Sequence, residues 1–232
     1  MQPIYIVLIV IVCLAVLFGV IFSAGSRLMD MFSKYDKMPT RNGINTVALL
    51  YFLRDTFELD FDIRRIRGKL TDCYIPSKKI IALSDATFNN SSVAAVAVVS
   101  HEVGHAIQHK NNVVLFNFHR FVGGLISIFG RLVIPTAVVS LVLILLGQYT
   151  SYALIALYIA AGVLVAGILF KLFTIPMEYS ASSIALSFLK DYQILNDEEL
   201  KIAKKFTNAA AFTYVAEFIK DILGLNLFRR RS

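Results

Sequence analysis

Apolar residues fill positions 4–22 without a break, give way to a mixed stretch, and return in two long blocks at about 121–146 and 152–170. A run of 19 residues built as a helix covers about 28 Å, the thickness of a bilayer's hydrocarbon core. A cleaved signal peptide is the competing reading of the first block. No basic residue precedes the run, and the apolar stretch exceeds the usual signal core, so a membrane-spanning helix is expected there. The second and third blocks are joined by the short turn Gly147-Gln148-Tyr149-Thr150-Ser151. So short a connection places two helices side by side and antiparallel, as a transmembrane hairpin. Arg131 interrupts the first helix of the pair; it either snorkels towards the headgroups, the expected arrangement, or lines a polar cavity.

The mixed stretch carries shorter signals. Asn45 caps a helix expected from about Thr46 to Phe57, with Val47, Leu50, Tyr51 and Phe57 on one face. Phe61, Ile63 and Ile66 suggest an extended piece, and 70–74 with 79–83 reads as a β-hairpin around Pro76-Ser77. In that hairpin 79–83 is either an edge strand on which an extended substrate can add or an ordinary strand packed on a helix. Asn90 or Ser91 is expected to cap a helix that runs through Val93 to about His109. Beyond the third span a helix is expected from about Met177 to Leu189. Asn196 and Glu199 form a capping box for the next, which starts near Asp197. The last helix, about 208–228, carries Glu217, Lys220 and Asp221, and reads as interfacial and amphipathic.

Composition agrees with a membrane. Of the 232 residues, 57% are hydrophobic and 17% charged, too few charges to dress a water-soluble surface. The net charge is +7, but the basic residues lie in loops beside apolar spans, without the basic, aromatic-interleaved face that nucleic-acid binding needs. Thirteen Lys and Arg fall between Arg27 and Arg120, nine from Lys171 onward, and none in 1–3 or 147–151. The positive-inside rule therefore puts the N-terminus and the hairpin turn outside and the rest in the cytoplasm, as in a bacterial-type plasma membrane. The two cysteines, Cys13 and Cys73, form no Cys-x-x-Cys pair, so no thiolate zinc site is suggested.

Chemistry concentrates in His101-Glu102-Val103-Gly104-His105. Two histidines four apart on a helix project from one face and can share a metal ion. Glu102, beside the first, can act as general base on a water held by that metal. The helix around them is rich in Ala and Val, and burying Glu102 there without a metal or partner is costly. Gly104 lets another segment approach closely. A catalytic zinc needs a third protein ligand. His109 lies at the helix end, where the dipole favours it, and His119 at the membrane edge; both read as structural. Glu178, just beyond Pro176 where the third span returns to the cytoplasm, is the better third ligand, and Ser182 stands one turn on to hydrogen-bond a ligand. Tyr214 is either a donor to an oxyanion or a core aromatic.

Leu83-Ser84, then the run from Ser92 to His109, the segment Met177-Glu178-Tyr179-Ser180-Ala181-Ser182, and Asn208 to Ala216 together resemble the YugP-like membrane neutral zinc metallopeptidase family, in order and over nearly the whole chain. The layout, with a transmembrane hairpin between HExxH and a distal Glu, also resembles the HtpX and CaaX-prenyl-protease gluzincins. The resemblance implies zinc on His101, His105 and Glu178, with Glu102 as base. The gluzincin relatives usually carry an Asp where Ser182 stands, and the family's hairpin carries His and Asp where this chain has Cys73 and Ile75.

The expected protein is thus an α-helical membrane protein with a small β-hairpin. It is read as one gluzincin-like metallopeptidase domain over 1–232, with about three transmembrane helices and cytoplasmic catalytic parts at about 40–110 and 177–228. The expected function is zinc-dependent cleavage of membrane or membrane-proximal proteins on the cytoplasmic face. Its partners are a peptide or protein substrate and the lipid bilayer, with no nucleic acid; membrane-protein partners or a homo-oligomer stay open. Two alternatives compete: a zinc-stabilised scaffold without proteolysis, and a site-2-type intramembrane protease. The second lacks its Asp-Gly motif here.

Overall fold

The computed structural model describes residues 12, 16, 19, 26–147 and 149–222. The first expected span, 4–22, lies outside the described residues apart from Val12, Val16 and Gly19. The chain divides into two compact units, one of Ser26–Asn117 with Ile175–Ala211, the other containing Phe118–Thr174.

The first unit is built around a helix buried on every side. α1, helical over 26–35 among the described residues, is followed by α2 (Thr46–Thr56), β1 (Asp62–Ile66), β2 (Cys73–Ile75), β3 (Ile80–Ser84) and α3 (Val93–Asn111). In α3 every residue from Val93 to Gly104 is buried, as a helix apolar around its whole circumference must be. Its cap is Ser92, not Asn90 or Ser91: the Ser92 hydroxyl accepts the Ala95 N–H at 3.2 Å. Asn90 instead donates to Asp36 at 2.6 Å and accepts the Ser92 N–H at 2.7 Å, which ties the end of α1 to the start of α3. α2 is capped by Asn45, whose side chain accepts the Ala48 N–H. Its buried face is Thr46, Leu49, Leu50 and Leu53; Tyr51, expected inside, is exposed.

The hairpin of β2 and β3 gains a third strand. β1 pairs with β3 in parallel, Asp62 opposite Ile80, and β2 pairs with β3 antiparallel, Tyr74 opposite Ile81. The order is β1-β3-β2, and all of β3 is buried. β3 therefore cannot be the edge on which a substrate adds, because both its ladders are taken; the edge strand next to α3 is β2. The core joins Ile81 and Leu83 of β3 to Val96, Val99 and Val103 of α3 and to Leu49, Leu50 and Leu53 of α2.

α4 (Val113–Leu145) and α5 (Thr150–Asp191) are longer than expected. The third span and the helix at 177–189 are one helix, which continues through Pro176. In the first unit the end of α5 adds Ala185, Phe188 and Leu189 to the core. α6 (Asp197–Ile222) is likewise one helix where two were expected. The Asn196–Glu199 capping box forms, each residue's side chain accepting the other's backbone N–H at 2.9 Å.

The second unit is apolar outside as well as inside. α4 over Phe116–Leu145 and α5 have the length and apolarity to cross a membrane, and in their most apolar stretches only 17% and 22% of residues are buried. A core helix of a water-soluble domain would be mostly buried, so these two are candidate spans. They are joined by a turn with Gly147 at φ +67°, a left-handed conformation that glycine adopts without strain. Gly123 of α4 lies against the Phe170 ring of α5.

Candidate metal centre

Within the first unit, α3 and the later part of α5 meet at Gly104. A methyl group there would sit 2.4 Å from the Ala181 carbonyl oxygen, so only glycine lets the two backbones approach this closely. That approach brings Glu178, one turn before Ser182 on α5, against the two histidines of α3.

The three side chains converge on one point. Glu178 Oε2 lies 3.2 Å from His101 Nε2 and 3.1 Å from His105 Nε2, and the two Nε2 atoms are 3.1 Å apart. Each edge of this triangle is close to the roughly 3.3 Å between ligand atoms of a tetrahedron with metal–ligand bonds of about 2.0 Å. With both imidazoles neutral, all three atoms offer lone pairs, so positive charge at their centre, from a metal ion or a proton, stabilises the arrangement. His101, His105 and Glu178 are the group among the described residues that can hold a metal ion. Two nitrogens and one carboxylate oxygen suit zinc and leave a fourth position open, the pattern of catalytic zinc sites.

The far nitrogens of both rings are also engaged. His101 Nδ1 is 3.1 Å from Ser182 Oγ, and His105 Nδ1 is 3.0 Å from Gln108 Oε1. An Nδ1–H donated to each oxygen fixes the tautomer and aims Nε2 inward. Burial lowers the affinity of His105 for a proton, but the Glu178 hydrogen bond and charge outweigh it and raise its pKa to about 9. The site is thus built to favour positive charge.

Glu102 is buried beside the triad, and its Oε2 accepts the Tyr74 backbone N–H from β2 at 2.7 Å. Burial pushes its carboxyl up from the usual range, against the opposing charges of His101 and His105. Cys73, the preceding residue of β2, is a free thiol pushed up to about 11 by burial and by the charges of Glu102 and Asp72. His109 is not a member of the triad; its Nδ1 lies 2.9 Å from the Tyr74 hydroxyl. Tyr214 falls on α6, but its side chain lies outside the described residues.

Two contributors escaped sequence reasoning. Gln108 shares a helix face with His105 at i+3, a spacing that could have flagged it. Tyr74 contributes a backbone N–H, which no side-chain pattern announces.

Residues 7–229 match a family model described as "Putative neutral zinc metallopeptidase". A curated relative, the "Putative membrane protease YugP" of Bacillus subtilis (strain 168), is 30% identical over 213 residues, covering 90% of each chain. No solved structure gives a significant match.

Proposed function

From the premise that this chain belongs to the neutral zinc metallopeptidase family, we propose that it is a membrane endopeptidase. It cleaves membrane or membrane-proximal proteins at the cytoplasmic face. The observation that carries the reading is the convergence of His101, His105 and Glu178 beside a buried Glu102.

His101, His105 and Glu178 hold the zinc that the family uses. When bound, zinc supplies Lewis acidity, lowering the pKa of a water to about 7 and polarising a peptide carbonyl. Glu102 takes the proton of the attacking water and later delivers it to the departing amine. The Tyr74 N–H holds the Glu102 carboxylate in place for that transfer. Ser182 and Gln108 keep the two imidazoles in register. The extended substrate runs past β2, the edge strand nearest Glu102.

A site-2-type reading would need the histidine helix to span the bilayer. Among the described residues α3 is not one of the two helices with the length and apolarity to do so. A zinc scaffold has no use for a buried base, so the intact Glu102 argues against it.

The test is cleavage of an unfolded reporter protein by the purified full chain and by Glu102→Gln, each with zinc bound. We expect the wild type to cleave and the variant to lose at least about a hundredfold in rate. Equal cleavage by both would remove Glu102 from the mechanism.

A further inference from the structure

Gln108 and His109 are neighbours near the end of α3, yet they reach different elements, Gln108 to α5 and His109 to β2. Gln108 makes two hydrogen bonds at once. Its Oε1 is 3.0 Å from His105 Nδ1, and its Nε2 donates to the Met177 carbonyl at 2.8 Å. The donation fixes the orientation of the amide, because only with Nε2 towards Met177 is Oε1 presented to the imidazole. Met177 directly precedes Glu178. One side chain therefore fixes the ring of a ligand on α3 and the backbone beside a ligand on α5. A glutamate could not donate to the carbonyl, and an asparagine is one methylene too short for the same reach.

His109 works on β2. Its Nδ1 pairs with the Tyr74 hydroxyl at 2.9 Å, and its ring packs against Tyr74 and Phe116, with centroids 5.8 Å and 5.2 Å away. Tyr74 is the residue whose N–H holds Glu102. Its side chain is thus anchored to α3 at His109, while its backbone meets the Glu102 carboxylate about two turns earlier on the same helix. β2 is joined to α3 at both places.

We propose that Gln108 and His109 form a two-armed clasp of positioning residues. Gln108 sets the metal-ligand frame across α3 and α5, and His109 sets the β2 backbone that holds Glu102. The second arm rests on the peptidase reading above; the first needs only the metal site.

The two arms separate experimentally in the purified full chain. For Gln108→Met, which keeps the packing and removes both hydrogen bonds, zinc affinity measured by chelator competition should fall about 10–100-fold. The measurement is made at a temperature where circular dichroism shows both proteins folded, so a purely structural role would leave it unmoved. His109→Phe and Tyr74→Phe should bind zinc as the wild type does. Their kcat on the unfolded reporter should fall roughly tenfold to a hundredfold, with KM unchanged, as expected for a misplaced base. His109→Gln, which restores a hydrogen-bonding partner for the Tyr74 hydroxyl, should recover most of that loss.

Wild-type zinc affinity in Gln108→Met overturns the first arm. Wild-type kcat in His109→Phe and Tyr74→Phe overturns the second, as does a loss of zinc in step with kcat. If the zinc-loaded wild type cleaves nothing, the peptidase reading and the second arm fall together, and zinc affinity still decides the first.

Discussion

Gly104 is where the metal site depends most directly on a single residue. A β-carbon there would press on the backbone of Ala181, which cannot swing aside as a flexible side chain would. We expect Gly104→Ala to cost about 1–3 kcal/mol, the usual penalty for overpacking a closed interface, and to weaken zinc binding because α5 carries Glu178. Thermal melts with and without chelator check both effects; a variant as stable and as zinc-bound as the wild type would show that the helices separate freely. At this scale much of the site could be read from the chain. The i,i+4 histidines, the glutamate between them and the glycine each announce a requirement through residue type. The partners were harder. Glu178 was reachable because a hairpin must return the chain to the side it left. The Tyr74 N–H was not, since a backbone donor looks the same in every residue but proline.

Among the elements, two of the helix caps were legible from residue type. Asn45 and the Asn196–Glu199 box cap helices as the sequence suggests. The continuity of α5 through Pro176 and of α6 past Asn208 was not visible, because a proline or a change of composition marks a helix end only when tertiary packing does not carry the helix onward. The parallel pairing of β1 with β3 was also hidden, since strand order depends on contacts distant in sequence. Glu199 shows how a cap can serve a second purpose. Besides the Asn196 N–H, it accepts the Arg41 backbone N–H at 2.7 Å, and it is buried. We expect Glu199→Ala to destabilise the protein by about 1–3 kcal/mol, since it leaves two donors unmet. Chemical denaturation checks this, and a change smaller than experimental scatter would mean that water replaces the carboxylate without loss.

For the whole molecule, the proposed topology rests on the distribution of Lys and Arg, which favours the N-terminus and the turn near Gln148 outside and the zinc site in the cytoplasm. Single cysteines in a chain carrying Cys13→Ser and Cys73→Ser test it. A membrane-impermeant thiol reagent should label Gln148→Cys in intact cells and Lys69→Cys only after lysis; the opposite pattern would invert the orientation and place the active site outside. The apolar exteriors of α4 and α5 were legible because a helix able to cross a bilayer needs a long run with few charges, and both runs stand out in the sequence. The central claim is that one zinc ion sits on His101, His105 and Glu178. Its most direct test is the zinc content of the purified wild type and of Glu178→Ala, measured by mass spectrometry of the metal after dialysis. We expect one zinc per wild-type chain and almost none in Glu178→Ala; a variant that keeps its full complement would contradict the site.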